Sequence, residues 1–208
     1  MKAAAVIAFG LIACLLYGLG AGIRGDIGIL LNPLAEHCGL PYQSVSFCIA
    51  VMELVFGFTQ PFFGMLASRK SNRFVLITGL ALLIIGFAGM YISHSFVGLL
   101  IFLGFVFGAG AGALAFGLVL TSAIHFVGEH NAMLISGMLN AAAGMISFIL
   151  SPMLTMLLGA GGLRLALTVL SVLAVILVPA AMIVTSRDKE DESSGETEKA
   201  AKTGAQKS

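Results

Sequence analysis

Four polar residues stand where polarity is costly. Arg24 and Asp26 interrupt "GLGAGIRGDIGILLNPL" (18–34), Glu53 interrupts "SVSFCIAVMELVFGFTQPFFG" (44–64), and Asn140 interrupts "SGMLNAAAG" (136–144). Each of these stretches is otherwise glycine and apolar residues for the most part. A charge at the centre of a bilayer costs about 2.5–3.5 kcal/mol on insertion scales, so it faces water, a partner or an opposite charge. The planar fork of Arg24 suits a carboxylate. Arg24 and Asn140 are therefore the candidates for binding a small organic anion. Asp26 and Glu53 are candidates for proton coupling, or for pairing with Arg24 when the site is empty. The plainer readings stand beside these. Arg24 can snorkel outward with Asp26 neutralising it, Glu53 can make an interhelical hydrogen bond as a neutral acid, and Asn140 can simply pack. Residues two apart on a regular helix point about 200° apart. Arg24 and Asp26 share a face only if the helix is irregular, which Gly22, Gly25 and Gly28 would permit.

The elements that must position these groups follow from hydropathy. The chain has 208 residues, 59% of them hydrophobic and 10% charged, with a mean hydropathy of +1.05. A soluble core of that size cannot hide so much apolar surface. The fold class expected is an all-α polytopic membrane protein. Six apolar stretches, at about 4–34, 44–66, 74–93, 96–122, 132–157 and 163–185, each reach the roughly 20 residues that a helix needs to cross the hydrocarbon. They lack the alternation of barrel strands, and helices satisfy their own backbone in lipid. Residues 1–185 are thus expected to form a six-helix bundle, and the polar, mixed-charge 186–208 a disordered cytoplasmic tail.

Orientation follows from Lys and Arg. With six alternating helices, Lys2, Arg69, Lys70, Arg73, Arg187 and Lys189 fall on one side, while Arg164 falls on the other with Glu36 and His37. The positive-inside rule then places both termini in the cytoplasm, with the chain in the inner or plasma membrane. "MKAAAVIAFGLIAC" has the look of a secretory or lipoprotein leader, but apolar sequence continues past Cys14 and a first membrane helix is the better reading. Cys14, Cys38 and Cys48 show no metal spacing; Cys38 is expected in an outer loop, open to a water-borne reagent. Gln60-Pro61 is expected to shape the end of its helix. His125, Glu129 and His130 read as a solvated loop. No cofactor, metal, nucleic acid or enzymatic activity is expected.

The chain also echoes itself. "GLGAG" (18–22) recurs as "GAGAG" (108–112), and Pro61 answers to Pro152. An offset of three helices inverts topology, and inverted three-helix repeats are a mark of secondary transporters. Gly18 and Gly22, and Gly104, Gly108 and Gly112, recur every four residues on one helix face. Small residues there let helices approach closely; a sharper reading has helices 1 and 4 staying close while they rock. "GAGIRG" fits a dinucleotide-binding pattern, but no strand precedes it.

"FGFTQPFFGMLASRKSNRFVLITG" (56–79) resembles the helix 2–loop–helix 3 motif of the major facilitator superfamily. Gly64 matches its first glycine, and Arg69 and Arg73 match basic positions, which the resemblance implies belong to a cytoplasmic gating loop. Ser68 stands where the family has an acid of a conformational charge relay, and Ser71 where it has a glycine. "GIRGDIGILLNPL" is similar to the first helix of the monocarboxylate and oxalate–formate antiporter-like branch. Arg24 falls on that branch's arginine, and Asp26-Ile27-Gly28 replaces its usual Ser-Phe-Gly-like triplet. Met52-Glu53 stands where Gln-Asn is common, "SGMLNAAAGMISFILSP" resembles helix 5, and Gly162-Leu163-Arg164 replaces Gly-Trp-Arg.

The family has two halves of six helices each. The resemblance implies that this chain corresponds to the N-terminal half. Its expected partners are a small organic anion such as a mono- or dicarboxylate, the lipid bilayer, and a separate C-terminal half or a second copy. The expected function is carriage of that anion by alternating access. The competing reading is a non-transporting membrane fragment, scaffold or remnant, favoured by Ser68 in place of the relay acid.

Overall fold

The computed structural model describes residues 3–184, and the tail expected over 186–208 lies outside them. Among the described residues the regular structure is helical throughout. Helix α1 (Ala3–Gly25) gives way at Asp26 to a 3-10 turn (Ile27–Leu30) and then to α2 (Leu31–Cys38). Helix α3 (Tyr42–Arg69) and α4 (Asn72–Ile92) follow. The next stretch passes through α5 (Phe96–Leu99), a π-helical segment (Leu100–Phe107), α6 (Gly108–Ala113) and α7 (Phe116–Val127). Helix α8 (Ala132–Val184) closes the described chain.

Among the described residues, four helices are long and apolar enough to cross a membrane, and five if the two segments bent by 48° at Asp26 count as one span. With the absence of strands among the described residues, this makes the chain an all-α polytopic membrane protein. Helix α8 is not one straight rod. At Gly162 the backbone takes φ 64, ψ −161, a conformation that a side chain would resist, and the chain turns there. Gly39, at φ 63, ends α2 in the left-handed conformation, and its N–H reaches the carbonyls of Ala35 and Glu36. Pro41 then opens α3 from an extended conformation.

Cys38 is a correction. It belongs to α2 and not to an outer loop, and its thiol is buried, donating to the Ser93 carbonyl at 3.3 Å. The helix that breaks at Asp26 resumes and carries Cys38 inward. Pro61 also lies inside α3, well before its end at Arg69, so it does not shape that end.

The glycine stripes pack closely, but not on each other. A side chain at Gly18 or Gly22 would run into Ile146 of α8. One at Gly104 would press on Val51, one at Gly108 would meet the Met52 carbonyl oxygen at 2.8 Å, and one at Gly112 would strike Thr59, all on α3. The first stripe therefore faces the segment before Gly162, and the second faces α3, so the two stripes do not hold their own helices together. Buried Leu, Ile, Phe and Met side chains such as Leu16, Ile23, Met52, Leu80, Phe87 and Phe107 fill the space between helices.

Candidate functional site

The site is built at the break in the first span. The N–H of Asp26 still reaches the Gly22 carbonyl at 2.9 Å, completing the last turn of α1. Its own carbonyl then accepts from Ile29 at 2.9 Å and starts the 3-10 turn. Gly25 and Gly28 are not in a left-handed conformation. Their part is low helix propensity and lack of bulk, which let the axis bend.

The break sends the two charges to different neighbours. Nη1 of Arg24 donates to both carboxylate oxygens of Glu53, at 2.8 and 2.7 Å. Phe56, on the same side of α3, lies under the guanidinium, with Cζ 4.5 Å from the ring centroid, a cation–π placement. Asp26 points elsewhere. One of its oxygens accepts from the Ser151 hydroxyl of α8 at 2.9 Å. The other, Oδ2, is buried and has no hydrogen-bond partner.

The Arg24–Glu53 pair is open, with the two side chains 31% and 42% exposed. Glu53 lies about 16 Å along α3 from Tyr42, at 1.5 Å per residue. That is near the middle of a hydrocarbon core about 30 Å thick. An open ion pair at that depth does not face lipid, because hydrocarbon would leave it unsolvated. It faces water or another protein surface. Only Nη1 is used by Glu53, so the two-pronged approach that a guanidinium offers a carboxylate is not taken up.

The remaining sequence candidates lie elsewhere. Asn140 is exposed on α8, and its amide donates to Ser136 of its own helix at 3.0 Å. Gly64 and Ser68 line a cavity of about 470 Å³ with Gln60, Asn72 and Thr121. Arg69 is the last residue of α3, and Arg73 lies in the first turn of α4. Ser71 between them caps α4, its hydroxyl accepting from the Phe74 N–H at 3.2 Å. Ser68 turns back to the Met65 carbonyl of its own helix at 2.9 Å. Ser151 and Phe56 were missed by the sequence reading. A single hydroxyl or ring in an apolar run has no spacing that singles it out.

The model of the Major Facilitator Superfamily matches residues 7–207. The chain belongs to the major facilitator superfamily. A comparison with curated proteins found no match. Members of this superfamily carry small molecules across membranes, and the open ion pair of this member joins α3, which is long and apolar enough to span one, to α1, which is so when taken with α2.

Proposed function

We propose that this major facilitator chain is the six-helix N-terminal half of a secondary carrier for small organic anions, mono- or dicarboxylates, in the inner or plasma membrane. The observation that carries the reading is the open Arg24–Glu53 pair at mid-membrane depth. Glu53 is the carboxylate that Arg24 holds, in the place that a substrate carboxylate would take. An incoming carboxylate takes the unused Nε and Nη2 donors of Arg24 and competes for Nη1. Protonation of Glu53 weakens its hold on Arg24 and links substrate entry to a proton.

Counting the broken first span as one, and α8 as two spans divided at Gly162, brings the number of crossings to six. Helix α8 has 53 residues, about 80 Å at 1.5 Å per residue, far more than one crossing requires. The stripes support two inverted repeats of three helices. The glycines of the first helix pack on the fifth, and those of the fourth on the second, which is the exchange that an inverted repeat produces. Alternating access requires a surface opposite Arg24, so a complementary half or a second copy completes the cavity. Asp26 serves as a second proton-accepting or structural carboxylate, held by Ser151. Asn140, whose amide donates to Ser136 of its own helix, is not needed for this step. Gly64, Arg69 and Arg73 form the cytoplasmic gating surface beside the 470 Å³ cavity.

Two measurements test this reading. Reporter fusions after Ser208 and within 36–40 should report cytoplasm and exterior respectively; a cytoplasmic signal at Glu36 contradicts the topology. Labelled mono- and dicarboxylates should accumulate in vesicles that hold the chain together with its complementary half, beyond those holding that half alone. No accumulation of any of them contradicts carriage of organic anions.

A further inference from the structure

A second polar feature lies at the membrane edge, away from Arg24. A groove of about 260 Å³ runs between the end of α4 and the part of α8 that follows Gly162. Phe87, Tyr91 and Ile92 form one wall, and Arg164, Leu167 and Ser171 the other. We propose that this groove binds an anionic phospholipid, with its phosphate on Arg164 and an acyl chain along the apolar wall.

The depth fits a headgroup. Helix α4 has 21 residues, about 31 Å of rise, so Tyr91 lies at the opposite membrane face from Arg73. Arg164 follows directly on the turn at Gly162, where the chain re-enters the bundle. Tyrosine and arginine at that level are typical interface anchors. Tyr91 is held in place by His37, whose Nε2–H donates to the Tyr91 carbonyl at 2.7 Å and whose ring stacks on it at 5.4 Å.

The chemistry is complementary to an anion. No carboxylate lines the groove, and the ion pair found among the described residues is the distant Arg24–Glu53. The hydroxyls of Thr168 and Ser171 donate to the Arg164 and Leu167 carbonyls of their own helix, each at 2.8 Å. They therefore leave the guanidinium as the main donor in the groove. A phosphodiester accepts several charge-assisted hydrogen bonds from such a group. Ala88 and Ile92, exposed at the rim, continue the groove as hydrocarbon over the buried Phe87 and Leu167. An arginine that merely snorkelled would need no such wall.

The test uses the purified full chain in discs of phosphatidylcholine, with and without phosphatidylglycerol. A lipid that binds the folded chain raises its melting temperature. Phosphatidylglycerol should raise the parent by about 2 °C or more. Arg164→Gln should lose that increment. Ala88→Phe, which fills the lipid-facing side of the groove while keeping Arg164, should lose it too. An increment retained in either variant overturns the proposal. So does an equal increment from soluble glycerol 3-phosphate in phosphatidylcholine discs, which would assign Arg164 to a free anion. If Arg164→Gln does not fold, Ala88→Phe decides by the same two outcomes.

Discussion

Arg24→Gln should abolish carboxylate uptake by the chain paired with its complementary half, while leaving its amount in the membrane unchanged. The two halves of this expectation have separate causes. Glutamine keeps much of the length of the side chain but loses the charge and the fork that meets a carboxylate. Removing a guanidinium from the middle of a span favours insertion rather than opposing it. The abandoned partner, Glu53, is 42% exposed, so it is not trapped as a buried unpaired charge, the usual reason that breaking an ion pair unfolds a protein. Arg24→Lys should restore only part of the rate, because an ammonium lies above the Phe56 ring but cannot offer two parallel donors. Uptake by Arg24→Gln equal to that of the parent would reduce Arg24 to a snorkelling residue. Loss of the protein from the membrane would make the Glu53 pair a structural one.

Gly108→Leu should lower stability sharply. An added Cβ at this position meets the Met52 carbonyl oxygen at 2.8 Å, the Met52 Cα at 3.3 Å and Val55 Cβ at 3.2 Å. Two of these atoms are backbone, so no side-chain rotation relieves the clash. The helices must separate, and Gly104 and Gly112 lose their contact with α3 as they do. Overpacking of this kind costs about 1–3 kcal/mol, equivalent to a fall in melting temperature of roughly 2–12 °C for a chain of this length. Because α3 carries Glu53 and Phe56, binding at Arg24 should weaken as well. Gly57→Ala on the same helix is the control, since nothing lies within 4 Å of its Cβ position. A thermal melt that fails to separate the two variants would show that α3 is not held by this stripe.

What the sequence made legible was cost. Arg24 and Glu53 stood out because charge is expensive in apolar runs, and their pairing was among the readings that cost allowed. Which reading held was hidden, since the partners are 29 residues apart and belong to different helices. Asp26 was legible as a carboxylate out of place, but its partner Ser151, 125 residues away, was one hydroxyl in an apolar segment. The glycine stripes were visible as spacing. Their targets were not, because spacing gives a face and not the helix that the face meets. Cys38 shows a stop signal passed over. Gly39 followed by Pro41 marks a helix end, and reading it would have kept Cys38 inside α2 rather than in a loop. The superfamily was legible from the loop around Gly64, Arg69 and Arg73, because motif residues at a helix junction are fixed in order and spacing.

If Arg24 recognises a carboxylate for which Glu53 is the resident stand-in, the two side chains have opposite effects on binding. The direct measurement is equilibrium binding of a labelled monocarboxylate to the chain with its complementary half, in the parent, Glu53→Gln and Arg24→Gln. Glu53→Gln removes both the competitor for Nη1 and the like charge beside the incoming anion. Binding should therefore be tighter than in the parent, by roughly tenfold if about 1.4 kcal/mol of competition is relieved, and Arg24→Gln should bind nothing. Equal affinity in the parent and Arg24→Gln, or no gain in Glu53→Gln, would contradict the account.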